Sequence, residues 1–434
     1  MRNPLAPFAF FMGVTLLAAP PVRVVKAARW LDVAKGTYVS PALVLVDGER
    51  IKGIGSTQDI PQGAEILDLG DATLLPGLID CHTHLLSQMD ATRDDGDEMV
   101  RHAAMDIGKR TLLGAAMARE TVEAGITTVR DLGNSGRNGD VALRDAINAG
   151  WVVGPRLFAS TRALSDVSGQ FARLSVSLQP QVINEYAVVS GVEEARKAVR
   201  QALFDGADLI KVILNNPPTS LSLEELRMIV EEAHRAGIKV AIHATRVETT
   251  RIAAESGADS VEHAYAISDD TLKLMAQKRI YMVPTDGTIE ASVRMFVKPR
   301  QMSAEAERAE TRQMIEIVQG NAARLMRAVK AGVPIAAGSD MYYRVEGQTR
   351  GQASLDTLEA YVEAGMTPLD AIRSATLNAA ALLGWTDKIG SLDPGKFADI
   401  IAVQGDPLKD IHCLEKVSFV MKSGQVVRNL KPTK

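Results

Sequence analysis

Two cysteines in 434 residues, Cys81 and Cys413, are too few and too far apart to make a disulfide framework. Neither sits in a pattern that suits a cysteine nucleophile, and Cys81 reads as a small core residue. Aromatics are only 4% of the chain, which argues against a stacking surface for bases or long glycans. The net charge of -4 gives no basic excess for nucleic acid. After the first segment, no apolar run reaches the roughly 18–20 residues that span a bilayer. No internal repeat and no low-complexity tract is present. What remains is a chain of ordinary composition, long enough for a large core and more than one domain.

Arg2 precedes an apolar stretch from Leu5 to Ala19, and Ala18-Ala19 offers small residues for cleavage. Residues 1–19 are therefore expected to be a signal peptide, and the mature chain to be periplasmic or secreted, with no stable membrane insertion. No cysteine lies near the cleavage point, which argues against a lipid anchor.

From Val22 to Leu75 the sequence reads as short strands with turn signals. Pro41 to Val46 runs into the tight-turn pair Asp47-Gly48, and Arg50 to Gly55 follows. The same style returns at Phe397–Val403 and Val417–Met421. These ends predict a small β-sandwich built from both termini, residues 20–75 and 388–434. Between them, in residues 76–387, strands and helices alternate: Ile126–Val129, Leu209–Ile213 after the helix Val192–Phe204, and Lys239–His243 after Leu223–Ala236 with Gly237 as its stop. Ser260–His263, Ile280–Val283 and Pro334–Ala337 continue the series. About eight units in roughly 300 residues predict an α/β fold, a (β/α)8 TIM barrel. Leu164–Ser190 and Asp286–Ala304 break the rhythm and read as loops at strand C-terminal ends, where barrel enzymes place substrate contacts.

Chemistry-bearing residues fall at the ends of those strands. His82 and His84 are two apart on a strand, so their imidazoles share a face and can share a cation. Lys211 interrupts an apolar strand, where an ammonium is costly to bury and is repelled by nearby cations. Carboxylation would turn it into an anionic carbamate whose oxygens can bridge two metals; a neutral catalytic amine and a structural salt bridge are the other readings. His243 and His263 end successive strands. Asp340 ends the last, where a carboxylate can touch a metal and also take a proton from water. His102, His234 and His412 lack this setting and are expected at the surface. Arg130 is expected to form a structural ion pair with a loop carboxylate.

This ligand set resembles that of the amidohydrolase superfamily. Pro76-Gly77-Leu78-Ile79-Asp80 and Gly390 to Asp399 are similar to its opening and closing signatures. Gly365-Met366-Thr367-Pro368 and Ala375 to Ala380 resemble its imidazolonepropionase-related branch. Lys211 points within it to a binuclear zinc group similar to Xaa-Pro and Xaa-Arg dipeptidases and ochratoxin-type amidases. The resemblance implies two zinc ions: one held by His82, His84 and Asp340, the other by His243 and His263, with N6-carboxylated Lys211 between them. It also implies attack of a zinc-bound hydroxide on a carbonyl, with Asp340 as proton shuttle. Ser168-Gly169-Gln170-Phe171 departs from the Gly-Gly-His-like stretch usual in relatives, so Gln170 becomes a substrate-recognition candidate. Arg246 and Arg344, just beyond His243 and Asp340, are candidates for binding a substrate carboxylate. Tyr265 and Tyr342 are candidates for orienting a carbonyl.

The expected activity is hydrolysis of an amide bond in a small molecule, a dipeptide or N-acyl amino acid, by a homo-oligomer. A lactonase, esterase or phosphotriesterase on the same binuclear centre is the alternative. Deaminase chemistry fits less well, because a bridging lysine is atypical of that branch.

Overall fold

The computed structural model describes residues 22–57, 59–93, 95–214 and 219–430; the expected signal peptide lies outside them. Near the start, Ala42–Asp47 and Arg50–Gly55 form a hairpin in which Asp47 pairs with Arg50 across Gly48-Glu49. Gly48 has φ +58°, a conformation that a glycine adopts without a Cβ penalty. This hairpin belongs to a four-stranded sheet ordered Arg50–Gly55, Ala42–Asp47, Arg23–Ala27, Glu65–Asp68. A six-stranded sheet mixes both ends of the chain, in the order Gln425–Asn429, Val417–Lys422, Ile400–Val403, Thr73–Pro76, Arg29–Asp32, Thr37–Val39. Val25, Val44 and Ile51 from the first sheet pack with Leu74, Ile400 and Phe419 from the second in one buried cluster.

The middle of the chain carries parallel strands. One sheet is ordered Arg156–Ala159, Ile126–Asp131, Leu78–Thr83. The other is ordered Tyr186–Val188, Ala163–Ser165, Leu209–Ile213, Lys239–Ala244, Ser260–His263, Tyr281–Val283. Strands covered on both faces read as continuous apolar runs, and all five residues of Leu209–Ile213 are buried, Lys211 among them. The segment 334–340 hydrogen-bonds in both directions. Ala336 N donates to Met282 O at 3.1 Å, while Cys81 N donates to Ala337 O at 2.8 Å and Asp340 N to His82 O at 2.8 Å. Asp208 N donates to Ala159 O at 2.8 Å, linking the two sheets on the other side. The arrangement is an α/β, TIM-barrel-like fold.

The helices between strands start where the sequence offers caps. In Leu223–Arg235, Ser222 and Glu225 form a reciprocal capping box, and Gly237 follows its end at φ +76°. Among the described residues no helix is long and apolar enough to cross a membrane. Three expectations are corrected. Leu164–Ser190 is not irregular throughout: it holds the helix Pro180–Glu185 and the strand Tyr186–Val188. Asp286–Ala304 contains the helix Ile289–Phe296, capped by the Thr288 hydroxyl and buried through Ala291 and Met295. Pro334–Ala337 carries only an isolated bridge from Ile335 to Met282. These segments take their shape from tertiary packing rather than from periodicity.

Candidate metal centre

The strand Leu78–Thr83 brings His82 to the cavity, and His84 follows it just beyond the strand end. Asp80 anchors the neighbouring turn to this strand: its carboxylate accepts from His82 N at 3.0 Å, Ser339 N at 3.0 Å and Ser339 Oγ at 2.6 Å. Burial pushes the Asp80 carboxyl up to about 6. Gly338 allows the approach, since a Cβ there would collide with Val283 and His82. Asp340 then turns back in a left-handed conformation, φ +50°, and His263 and Ala264 do so at +67° and +51°. Such backbone costs an L-residue about 1–2 kcal/mol and is typical of functional sites.

Four imidazoles converge. The His82 ring lies 5.4 Å from that of His84 and 4.9 Å from that of His263, and the His243 and His263 rings are 4.4 Å apart. Three of the four Nδ1 atoms have a stated partner: His82 Nδ1 faces Glu262 Oε2 at 2.8 Å, His84 Nδ1 faces Gly133 O at 2.8 Å, and His263 Nδ1 faces the Thr285 hydroxyl at 2.7 Å. His82 Nδ1, facing a carboxylate, carries the proton, which leaves its Nε2 with a lone pair for the cavity. For His84, burial lowers the imidazole, but the Asp340 carboxylate beside its Nε2 outweighs that and raises it. His84 Nε2 and His82 Nε2 lie 3.1 and 3.5 Å from Asp340 Oδ1. Burial drives His82 and His263 well below the usual imidazole range and His243 to about 3, so these rings are neutral, the form that ligates a metal.

Lys211 Nζ and His263 Nε2 are buried without a hydrogen-bond partner among the described residues. An unpaired buried polar atom costs about 1–3 kcal/mol, and two such atoms facing one cavity suit the binding of a cation. His82, His263 and Asp340 each offer a ligand atom within 4.8 Å of one another. Burial lowers the Lys211 amine to about 8, although Glu262 and Asp340 pull the other way. A neutral amine is the form that adds CO2. The donor set therefore fits divalent cations.

Behind these donors stands a layer that sequence reasoning missed. Arg130 was expected to meet a loop carboxylate; instead it is buried and pairs with a strand carboxylate, Glu262 Oε1, at 2.8 Å. Its other nitrogens donate to Cys81 O at 2.5 Å and Ser260 Oγ at 3.0 Å. Glu262 thus ties Arg130 to His82, and its only sequence signal was an acid directly before His263 in a buried strand. Arg350, fully buried, donates to His84 O, Met341 O and Ser87 O at 3.2, 2.9 and 2.6 Å. Arg324 donates to His263 O at 2.6 Å and pairs with Asp286. His102 is a further correction: it is buried, with Nε2 3.0 Å from Ser87 Oγ, and burial lowers it to about 3. His234 and His412 are on the surface, as expected.

All six ligand candidates line one cavity of about 200 Å3, together with Gln170, Tyr265 and Tyr342. The Tyr265 hydroxyl is 3.3 Å from Thr285 Oγ1, and its ring is 5.4 Å from that of His263. Gln170 Oε1 accepts from the Tyr186 hydroxyl at 3.1 Å. The structure does not bring the two arginine candidates to this cavity. Arg246 is exposed at the N-terminus of the helix Val247–Ser256 and lines a separate cleft of about 950 Å3. Arg344 is exposed and lines shallow cavities on the outside. Adjacency to a ligand in sequence did not set the direction of either side chain.

Comparison with known proteins adds to this geometry. Residues 73–427 match the amidohydrolase family. The ochratoxinase of Aspergillus niger is 30% identical, covering 99% of this chain and 94% of that protein. The imidazolonepropionase of Deinococcus deserti is 26% identical, covering 92% of this chain and 94% of its own length. Among solved structures, a Xaa-Pro dipeptidase with methionine bound in its active site superposes with a TM-score of 0.79 at 30% identity, covering 93% of this chain and 99% of that one. With the match running from the strand Thr73–Pro76 through the parallel strands into Gln425–Asn429, the chain belongs to the amidohydrolase family and is a hydrolase acting on amide bonds.

Proposed function

We propose that this protein hydrolyses the amide bond of dipeptides or N-acyl amino acids at a binuclear zinc centre. The observation that carries the reading is the convergence of partnerless Lys211 Nζ and His263 Nε2 on the cavity shared with His82, His84, His243 and Asp340. His82, His84 and Asp340 would hold one ion, His243 and His263 the other, with Lys211 as its N6-carboxylate between them. Zinc there supplies Lewis acidity, polarising the scissile carbonyl and lowering the pKa of water toward about 7. Asp340 accepts the proton of the attacking water and delivers it to the leaving amine, a role that suits the one carboxylate among the described cavity-lining residues. Glu262 and Arg130 keep His82 in the tautomer that offers Nε2. Tyr265, which lines the cavity, would orient the carbonyl oxygen.

The same reading includes a closed eight-stranded barrel, residues 76–387, supported by the hydrogen bonds of segment 334–340 to both parallel sheets. It includes a sandwich from 20–75 and 388–434, supported by the cluster that the two outer sheets share. Secretion or export to the periplasm, resting on the apolar leader in the sequence, and assembly as a homo-oligomer complete it.

The test is metal analysis of the purified protein and a screen of dipeptides and N-acyl amino acids, with a chelator-treated control and a panel of lactones and phosphotriesters. Two metal ions per chain and chelator-sensitive amide cleavage are expected. Turnover of lactones or phosphotriesters with no amide cleaved would leave the centre in place and discard the substrate class.

A further inference from the structure

Residues 168–171 form a turn pressed against Tyr186. Gly169 sits at φ +60°, and a Cβ on it would overlap the Tyr186 ring. Tyr186 is fully buried, and its hydroxyl stands between two amides: it accepts from Asn134 Nδ2 at 3.1 Å and donates to Gln170 Oε1 at 3.1 Å. A carboxamide has one acceptor oxygen and one donor nitrogen. With the oxygen of Gln170 committed to Tyr186, the group it can offer the cavity it lines is its NH2.

Met89, Met99, Tyr342 and Tyr343 line the same cavity with a different chemistry. They pack on an apolar cluster that includes Met295, Met341 and Phe296, and the Tyr342 ring meets that of His84 edge-on at 5.6 Å. Methionine adapts its shape to the group packed against it and makes favourable contacts with aromatic rings. Among the described residues lining the cavity, Lys211 is the one lysine or arginine, and it belongs to the ligand set. Among the described residues, no guanidinium lines this cavity.

Building on the amide-hydrolase reading above, we propose that the Gln170 NH2 group donates a hydrogen bond to a carbonyl or carboxylate oxygen of the substrate while the Met89–Met99–Tyr342–Tyr343 wall takes an apolar or aromatic side group. The enzyme then selects hydrophobic amides by shape and by one neutral hydrogen bond, not by the charge of a terminal carboxylate. Tyr186 and Asn134 are positioning residues that fix which way the Gln170 amide faces.

The experiment measures kcat and KM for N-acyl-phenylalanine, its neutral carboxamide and the two alanine counterparts. The enzymes are the metal-loaded wild type and the variants Gln170→Ala, Gln170→Glu and Tyr186→Phe. Wild type is expected to favour phenylalanine over alanine and to differ by less than about tenfold between acid and carboxamide. Gln170→Ala raises KM about tenfold with kcat kept, the loss of one neutral hydrogen bond. Gln170→Glu discriminates against the acid more than against the carboxamide, because a like charge now faces it. Tyr186→Phe reproduces the KM rise with metal content unchanged. A wild type that needs the carboxylate by more than about a hundredfold overturns the proposal, as does a Gln170→Ala enzyme with every KM unaltered. A wild type that cleaves no amide of any kind overturns the amide-hydrolase reading itself, and this proposal with it.

Discussion

At the N-terminal ends of the parallel strands, charged groups find partners inside the protein. Arg156 donates to Thr128 Oγ1, Asp399 Oδ2 and Ser423 Oγ at 3.0, 2.7 and 2.9 Å. Arg144 reaches Asp208 at 2.8 Å, and Asp259 holds both Lys239 and His234 at 2.9 and 2.8 Å. At the C-terminal ends, Lys211 Nζ and His263 Nε2 go without, and His263, Ala264 and Asp340 are held in left-handed backbone. The N-terminal end also has the roomier cleft, about 1000 Å3 against about 200 Å3 around the histidines. Size therefore does not mark the site; the meeting of partnerless Lys211 Nζ and His263 Nε2 with three more imidazoles and a carboxylate in one cavity does. In barrel enzymes the two ends divide stability from chemistry.

Substitution at each end should separate the two roles. Asp340→Asn should lower kcat about a thousandfold with little change in melting temperature, because it removes the proton acceptor and leaves the packing intact; a loss of Tm without a loss of kcat would erase the contrast. At the opposite end, Arg156→Met strands Asp399 in a buried position, where the carboxylate also keeps only the Ser423 N–H. Breaking a buried pair typically costs about 3–5 kcal/mol, to be read from urea unfolding, and kcat should stay within a factor of two of wild type if the two ends are independent. Glu262→Gln belongs to the active end yet touches no substrate. Loss of the carboxylate behind His82 should weaken metal affinity about 10- to 100-fold in chelator competition, with kcat recovered at saturating metal.

The smallest effect concerns acid stability. His102 is neutral in the folded protein down to about 3, whereas an unfolded histidine takes up a proton near 6.5. Between those values the unfolded chain binds the extra proton, so His102 contributes stability above about pH 6.5 that is lost as pH falls toward 3. A His102→Gln variant should show a flatter decline in Tm across that window. An unchanged slope would assign the acid sensitivity to other groups.

The same contrast explains what the sequence revealed. Lys211 interrupts an apolar run and the other donors follow or end one, so local pattern made His82, His84, Lys211, His243, His263 and Asp340 candidates, and the structure gathers them around one cavity. The groups that complete hydrogen bonds left no such mark. Arg130 meets Cys81 and Glu262 across separations of 49 and 132 residues, and His102 is buried by a tertiary contact with Ser87. Arg246 was nominated by its place after His243, but it is exposed and lines a separate cleft. The helix Ile289–Phe296 was missed because eight residues give too few turns for periodicity to show.

His82 and Glu262 are 180 residues apart in the chain. At about 5–20 residues per second, synthesis delivers the carboxylate roughly 9 to 36 seconds after the imidazole it holds, and Asp340 emerges later still. During that interval the His82-Thr83-His84 pair exists without the walls that define its ring orientations. The cavity is finished only once Asp340 has arrived, so a cation taken up earlier would meet two loosely held imidazoles rather than a site.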